Sequence, residues 1–172
     1  MPGILIGILL GLVCIATMVW ICFGIDNHFA EASRRDRAEE ITKELTEAEE
    51  QFLYWAQLLK YRSLSVEVFL GSASTARITG ERRAALRRVL NDVVRLDKDK
   101  ALAEFAYQML DTMPFFGESF RNLNDTEAAV KYCYDVITWC HNSSATLTRL
   151  TRDKQFRRQW LADRTAQGVG NA

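Results

Sequence analysis

Two cysteines and a histidine form the strongest candidate for a metal site in this chain. Cys133 and Cys140 lie seven residues apart, and His141 follows directly. In a helix that spacing places both thiols on one face, whereas His141 points about 100° away from Cys140. Zinc would also need a fourth ligand from elsewhere. The pattern therefore favours two small buried core residues, and we expect no metal and no cofactor.

A run of carboxylates on one predicted helix is the second candidate. Its members are Glu39, Glu40, Glu44 and Glu47. A di-iron site in a helical bundle needs Glu-x-x-His pairs that project inward, and this chain contains none. Arg35, Arg37 and Lys43 lie at helical spacing from them, so we expect these glutamates to form a solvated helix face.

Two arginine-rich stretches are the third candidate. The first contains Arg82, Arg83, Arg87 and Arg88, and the second contains Arg152, Arg157 and Arg158. Such faces can bind anionic lipid headgroups, an acidic partner protein or nucleic acid. The alternative is that the arginines pair with acids on neighbouring helices. A net charge of +0 with a pI near 6.7 argues against nucleic acid as a partner.

Sequence signatures of enzymes are absent from the chain. It has no glycine-rich phosphate loop, no Gly-x-Ser-x-Gly, no His-Glu-x-x-His and no Cys-x-x-Cys. Catalysis needs converging polar groups, whereas binding through packed helices needs only apolar faces. The sequence therefore predicts a non-catalytic protein that acts by binding.

The stretch 1–25 is an apolar run with no charged residue before Asp26. As a helix it spans roughly 33 Å, which matches the hydrocarbon core of a bilayer. It lacks both a preceding basic region and a small-x-small cleavage site, so it predicts an uncleaved transmembrane signal-anchor. Gly3, Gly7 and Gly11 share one face of that helix, where the backbone of another transmembrane helix can approach closely.

The basic residues around the run predict its orientation. No Lys or Arg precedes it, and Arg34, Arg35 and Arg37 follow it. This bias places the N-terminus outside and the C-terminal domain in the cytoplasm. Asp26 and Glu31 lie nearer the run than any arginine, and the opposite orientation would place the domain in an exterior space.

The remainder of the chain predicts an all-α fold. Pro114 is its single proline, and its sequence is rich in Ala, Leu, Glu and Arg. We predict a domain over 26–164 and a flexible tail over 165–172. The predicted helices span about 27–70, 79–96, 99–113 and 125–164. Four such helices pack most simply as an antiparallel bundle that continues from the transmembrane helix.

Apolar residues at spacings of three and four mark the inner face of the first helix. They are Ala38, Ile41, Leu45, Ala48, Phe52, Trp55 and Leu59. About three heptads suit a coiled coil, but Phe52 and Trp55 are bulky for a two-stranded seam, which favours packing within the bundle. Thr79, Asp97 or Asp99, and Asn124 are the predicted N-caps of the later helices.

These features predict a single-pass, membrane-anchored interaction protein, such as an accessory subunit, scaffold or adaptor. Its expected partners are membrane lipids and another transmembrane helix, from a second copy or a different subunit, and no nucleic acid. One alternative is a ligand-responsive sensor or small helical enzyme that uses an arginine face for a phosphate ligand. Another is a membrane-disrupting or lysis effector.

Overall fold

A computed structural model describes residues 2–96, 99–114, 123 and 125–169, without the side chains of 2–14, 16, 21–28, 96, 165 and 167–169. The described residues are almost entirely helical, which confirms the all-α prediction. The helices are α1 (Pro2–Lys60), α2 (Val66–Gly71), α3 (Ala73–Leu96), α4 (Lys100–Thr112), α5 (Thr126–Arg152) and α6 (Lys154–Val169).

The chain divides into two compact units, Met1–Asp36 and Arg37–Ala172. The first consists of the beginning of α1. No helix among the described residues has both the length and the apolar composition to cross a membrane. The structure therefore does not support the transmembrane helix predicted over 1–25. The side chains of residues 2–14, including the glycine positions 3, 7 and 11, lie outside the described residues.

The second unit is a helical bundle, as predicted, and its core includes the apolar face of α1. All seven predicted positions on that face are buried, and Ile41, Leu45, Phe52 and Leu59 are almost completely enclosed. The Phe52 ring contacts Trp55 and Tyr132 edge-on, with centroids 5.1 and 5.9 Å apart. The heptad-like pattern therefore serves packing within one chain.

α1 ends at Lys60, before the predicted end near Leu70. Arg62 takes a left-handed conformation (φ 56°), and the N–H of Ser63 donates back to the Leu58 carbonyl at 2.9 Å. This bond satisfies the Leu58 carbonyl, one of the last carbonyls of α1. Ser65 then begins the short helix α2 by accepting a bond from the Val68 N–H. The helix therefore ends here without the glycine or proline that would indicate a turn in the sequence.

α3 begins at Ala73, so the prediction of Thr79 as its N-cap is wrong. Thr79 is buried inside α3, and its Oγ1 donates to the Thr75 carbonyl at 2.7 Å. A threonine hydroxyl can satisfy itself in this way within a helix as well as cap one. Ser72 accepts from the Thr75 N–H and lies immediately before the helix.

Aspartates cap the N-termini of α4, α5 and α6. Asp99 accepts from the N–H groups of Ala101 and Leu102, which confirms one of the two predicted caps of α4. Asp125 caps α5, whereas the predicted cap Asn124 lies outside the described residues. Asp153 ends α5 and caps α6, so the helix predicted over 125–164 is two helices. α6 continues into the predicted tail.

Neighbouring helices of the bundle run in opposite directions in two places. Trp55 of α1 contacts Phe69 of α2, whereas the earlier Glu47 contacts Arg82, which lies later in the chain, on α3. The N-cap of α4, Asp99, contacts Arg157 of α6, and its last residue, Thr112, accepts a hydrogen bond from Trp139. α3 is therefore antiparallel to α1, and α5 is antiparallel to α4. The buried apolar side chains lie between these helices.

Candidate functional site

The structure does not bring the candidate metal ligands together. Cys133 and Cys140 are completely buried in the core, whereas His141 is exposed. Burial raises the pKa of each thiol to about 12, and the negative charge of Glu49 adds to this at Cys140. Within the described part of the chain, no group of three or more His, Cys, Asp or Glu side chains could hold a metal ion. Both thiols stay protonated at neutral pH, and as neutral thiols they are weak nucleophiles.

Two of the four glutamates in the carboxylate run face solvent, and the other two contact α3. Glu39 and Glu40 are exposed, as expected of a solvated face. Glu44 and Glu47 are half-buried, so the prediction is wrong for these two. The reason is a tertiary ion pair, since both lie beside the guanidinium of Arg82.

Arg82 links α3 to α1 through these two glutamates. Its Nη1 donates to Oε2 of Glu47 and lies 4.0 Å from Oε2 of Glu44. The Glu44 oxygen and the Nε of Arg83 are buried without a hydrogen-bond partner among the described residues. With about a third of the Arg82 side chain exposed, such pairs contribute at most about 1 kcal/mol each. Arg82 therefore fixes α3 against α1 and is not free to bind a ligand.

Arg157 is likewise taken up within the fold. Its Nη1 lies 3.2 Å from Oδ2 of Asp99, and the two side chains are only 13% and 10% exposed. The same carboxylate caps α4 through its other oxygen. Trp160, one turn further along α6, packs edge-on against Phe105 of α4. The ion pair and the aromatic contact together dock α6 onto α4.

The other predicted arginines remain in solvent. Arg87, Arg88, Arg152 and Arg158 are exposed, and so is Arg95 at the end of α3. None of these five has an ion pair or hydrogen bond within the described part of the chain. Of the seven predicted arginines, two form ion pairs with carboxylates within the fold, Arg83 is half-buried, and four are exposed. Arg95 is a further exposed arginine that was not among the seven.

Helix register places most of the exposed arginines at one end of the bundle. Arg95 lies about 20 Å along α3 beyond Arg82, and Arg37 lies about 15 Å along α1 before Glu47. Because Arg82 contacts Glu47 and the two helices are antiparallel, Arg95 and Arg37 lie near the same end. Asp99, four residues after Arg95, contacts Arg157. The end of α3 and the start of α6 therefore meet where α1 enters the second unit.

α5 ends at this same place. Arg152 lies only five residues before Arg157. Because Arg157 contacts Asp99, which follows α3, Arg152 also lies near the end of α3. We call this the basic end, defined by Arg88, Arg95, Arg152 and Arg158.

Charge along the bundle is strongly uneven. In the segments at and near the basic end, 37–44, 87–95, 99–104 and 149–158, basic residues outnumber acidic ones eleven to seven. In the segments toward the opposite end, 49–81, 105–114 and 125–140, acidic residues outnumber basic ones eight to four. A chain of zero net charge therefore folds into a domain with one positive and one negative end.

Large apolar side chains lie exposed toward the acidic end. They are Leu53, Tyr54, Tyr61 and Val68, at the end of α1, the following turn and α2. The sequence pattern does not indicate this exposed group, because it predicts one helix as far as Leu70, whereas α1 ends at Lys60. Exposed tyrosines are common at protein interfaces, where their rings supply contact area.

Comparison with known proteins adds no assignment. The chain matches no protein-family model, no curated protein and no solved structure.

Proposed function

We propose that the chain is a membrane-anchored, non-catalytic interaction protein. In this proposal, residues 1–25 insert into a bilayer as a single helix, and the helical bundle acts on the cytoplasmic side as a subunit, scaffold or adaptor. The sequence of 1–25 and the exposed apolar side chains of the first unit support the anchor.

The exposed side chains of α1 before Asp36 carry this proposal. Ile15, Met18, Val19, Trp20 and Phe29 are all more than half exposed, and Trp20 reaches 81%. Each large apolar side chain left in water forgoes about 1.5–3 kcal/mol relative to full burial. A bilayer supplies an apolar environment for such a helix. The tryptophan also suits the membrane–water boundary, where its amphipathic ring is favoured.

Binding explains the bundle better than catalysis does. Its buried nucleophiles, Cys133 and Cys140, are held as neutral thiols in the core. Its exposed arginines lie on the surface of helices, and an interaction surface needs only such charges and the exposed tyrosines. The arginines that follow residue 25 support a cytoplasmic position for the bundle.

The anchor is proposed to contact a second transmembrane helix through Gly3, Gly7 and Gly11. Lipid tails leave no hydrophobic gain between apolar helices, so close backbone approach must supply the attraction. The partner is a second copy or a different subunit with a similar small-residue face.

Copurification from detergent-solubilised membranes tests the interaction. Gly7→Ile should reduce both self-association and partner recovery, because the added side chain separates the helices while keeping the segment apolar. Leu9→Ile, a change on another face, is the matched control and should retain both. If Gly7→Ile inserts normally and recovers the same partners as the control, the glycine face is not an interface.

A further inference from the structure

We infer that the basic end of the bundle is a binding surface for the anionic headgroups of a bilayer. This inference rests on the proposed membrane anchor and adds a second, electrostatic contact between the protein and the membrane. The surface consists of Arg88, Arg95, Arg152 and Arg158, with Arg87 beside them on α3.

The availability of these side chains is the first argument. They are exposed and have no acidic partner among the described residues, whereas Arg82 and Arg157 are paired with carboxylates. An unpaired guanidinium keeps all five N–H donors for phosphate oxygens, and its planar fork matches their geometry. The fold thus uses some arginines to join helices and leaves these to the surface.

The position of the surface is the second argument. It lies at the end of the bundle where α1 enters the unit at Arg37, and Arg37 follows the apolar run by only twelve residues. Twelve residues span at most about 43 Å even when fully extended. A bilayer holding residues 1–25 is therefore always near the basic end, at a high effective concentration.

Charge polarity is the third argument, and it distinguishes a membrane from other polyanions. The cytoplasmic leaflet carries negative lipids, and its potential attracts nearby Lys and Arg. The excess of acidic residues at the opposite end would be repelled by the same surface. Both effects turn the basic end toward the bilayer. A nucleic-acid protein would benefit from a broad basic excess, but this chain has zero net charge.

Acidic side chains at the basic end set the strength of the contact. Asp92 on α3 and Asp153 before α6 are exposed there, as are Glu39 and Glu40 on α1. They reduce the local positive charge without cancelling it. The contact is therefore weak by itself and depends on the anchor. It should also disappear at high salt, because added ions shorten the Debye length and so screen the attraction between the arginines and the headgroups.

Hydrogen exchange on the full-length chain, reconstituted in vesicles, tests this inference. We compare vesicles of phosphatidylcholine alone with vesicles containing about one third phosphatidylserine. We expect slower amide exchange over 87–96 and 149–159 only in the anionic vesicles. Raising the salt to 0.5 M should abolish the difference.

Matched charge variants make the test specific. Each basic residue near an anionic surface strengthens binding about fivefold, so the triple variant Arg88→Gln, Arg95→Gln and Arg152→Gln should weaken docking about 100-fold. Its control removes three exposed charges elsewhere, by Lys60→Gln, Arg77→Gln and Lys131→Gln, and should keep the protection. Circular dichroism verifies that both variants fold.

Three outcomes would overturn the inference. The first is equal protection in neutral and anionic vesicles, and the second is protection that survives in the Arg88, Arg95 and Arg152 variant. The third is stronger protection by a homopolymeric RNA added to neutral vesicles, which would reassign the surface to nucleic acid. Failure of the anchor is recognised separately, because the chain would then not sediment with neutral vesicles at all.

Discussion

Replacing Asp99 should destabilise the bundle more than any other single change to its polar residues. Its carboxylate begins α4 by accepting from two backbone N–H groups and also pairs with Arg157 at 3.2 Å. Losing the cap costs about 1 kcal/mol. Leaving Arg157 charged and unpaired at 13% exposure costs about 3 kcal/mol, the lower end of the range for a buried pair. Asp99→Ala should therefore lower the free energy of unfolding by about 4 kcal/mol.

Two further variants separate the contribution of the helix cap to stability from that of the ion pair. Asp99→Asn keeps the cap, since asparagine caps helices as well as aspartate does, and should cost about 2–3 kcal/mol. Arg157→Met should cost about 2 kcal/mol, because the remaining carboxylate still has the helix N-terminus to stabilise it. Since the two residues share one interaction, combining Asp99→Asn with Arg157→Met should cost at least 1 kcal/mol less than the sum.

Urea unfolding of the full-length chain in a mild non-ionic detergent, followed by tryptophan fluorescence, measures these changes. Trp160 packs on Phe105 beside the ion pair and reports the docking of α6. With a slope of about 2 kcal/mol/M, Asp99→Ala should lower the midpoint by about 2 M. Equal losses for Asp99→Ala and Asp99→Asn would show that the cap contributes nothing. A loss below about 0.5 kcal/mol for Arg157→Met would reduce the pair to an ordinary surface contact.

Four other predictions concern the core and the surface. Leu90→Ala should lower the free energy of unfolding by about 2–5 kcal/mol, because Leu90 is completely buried. Ile137→Ala should lower it by less, because Ile137 is half-buried. If urea midpoints showed a loss below about 0.5 kcal/mol for both variants, the assigned core would be wrong. Cys133 and Cys140 should resist alkylation at pH 8 until urea unfolds the chain, and rapid labelling of the native protein would contradict their burial. Because folding raises both thiol pKa values from 9.0 to about 12, stability should be constant below about pH 9 and fall as the pH rises toward 12, which urea midpoints across that range would show. Nucleotides should leave the melting temperature unchanged, and a rise that saturates with concentration would favour the phosphate-binding alternative.

The helical pattern of the core was predictable because each signal is local. The apolar residues of α1 recur at spacings of three and four from Ala38 to Leu59, and that period permits only a helix with one buried face. Asp99 precedes a short amphipathic stretch, where an aspartate is a strong N-cap. Along α5, by contrast, Tyr132 and Val136 are buried, whereas the equally apolar Val130 and Ile137 are only partly buried.

Helix ends and ion pairs were harder because they depend on tertiary contacts. The turn after Lys60 has no glycine, and Arg62 itself adopts the left-handed conformation that usually selects one. Which arginines pair internally is likewise invisible in the sequence. Arg82 and Arg88 look equivalent there, and only the packing of α3 on α1 turns Arg82 toward Glu47. The basic end is thus a property of the fold.

The activity of a cytosol-dependent reporter fused after Ala172, measured in carbonate-washed membranes, tests the proposed function most directly. Alkaline carbonate removes proteins that are only adsorbed, so a chain that remains is inserted in the bilayer. We predict that the fusion stays in the membrane pellet and that the reporter is active. Release of the fusion into the supernatant would contradict the anchor, and a retained but silent fusion at normal abundance would contradict the cytoplasmic position of the bundle.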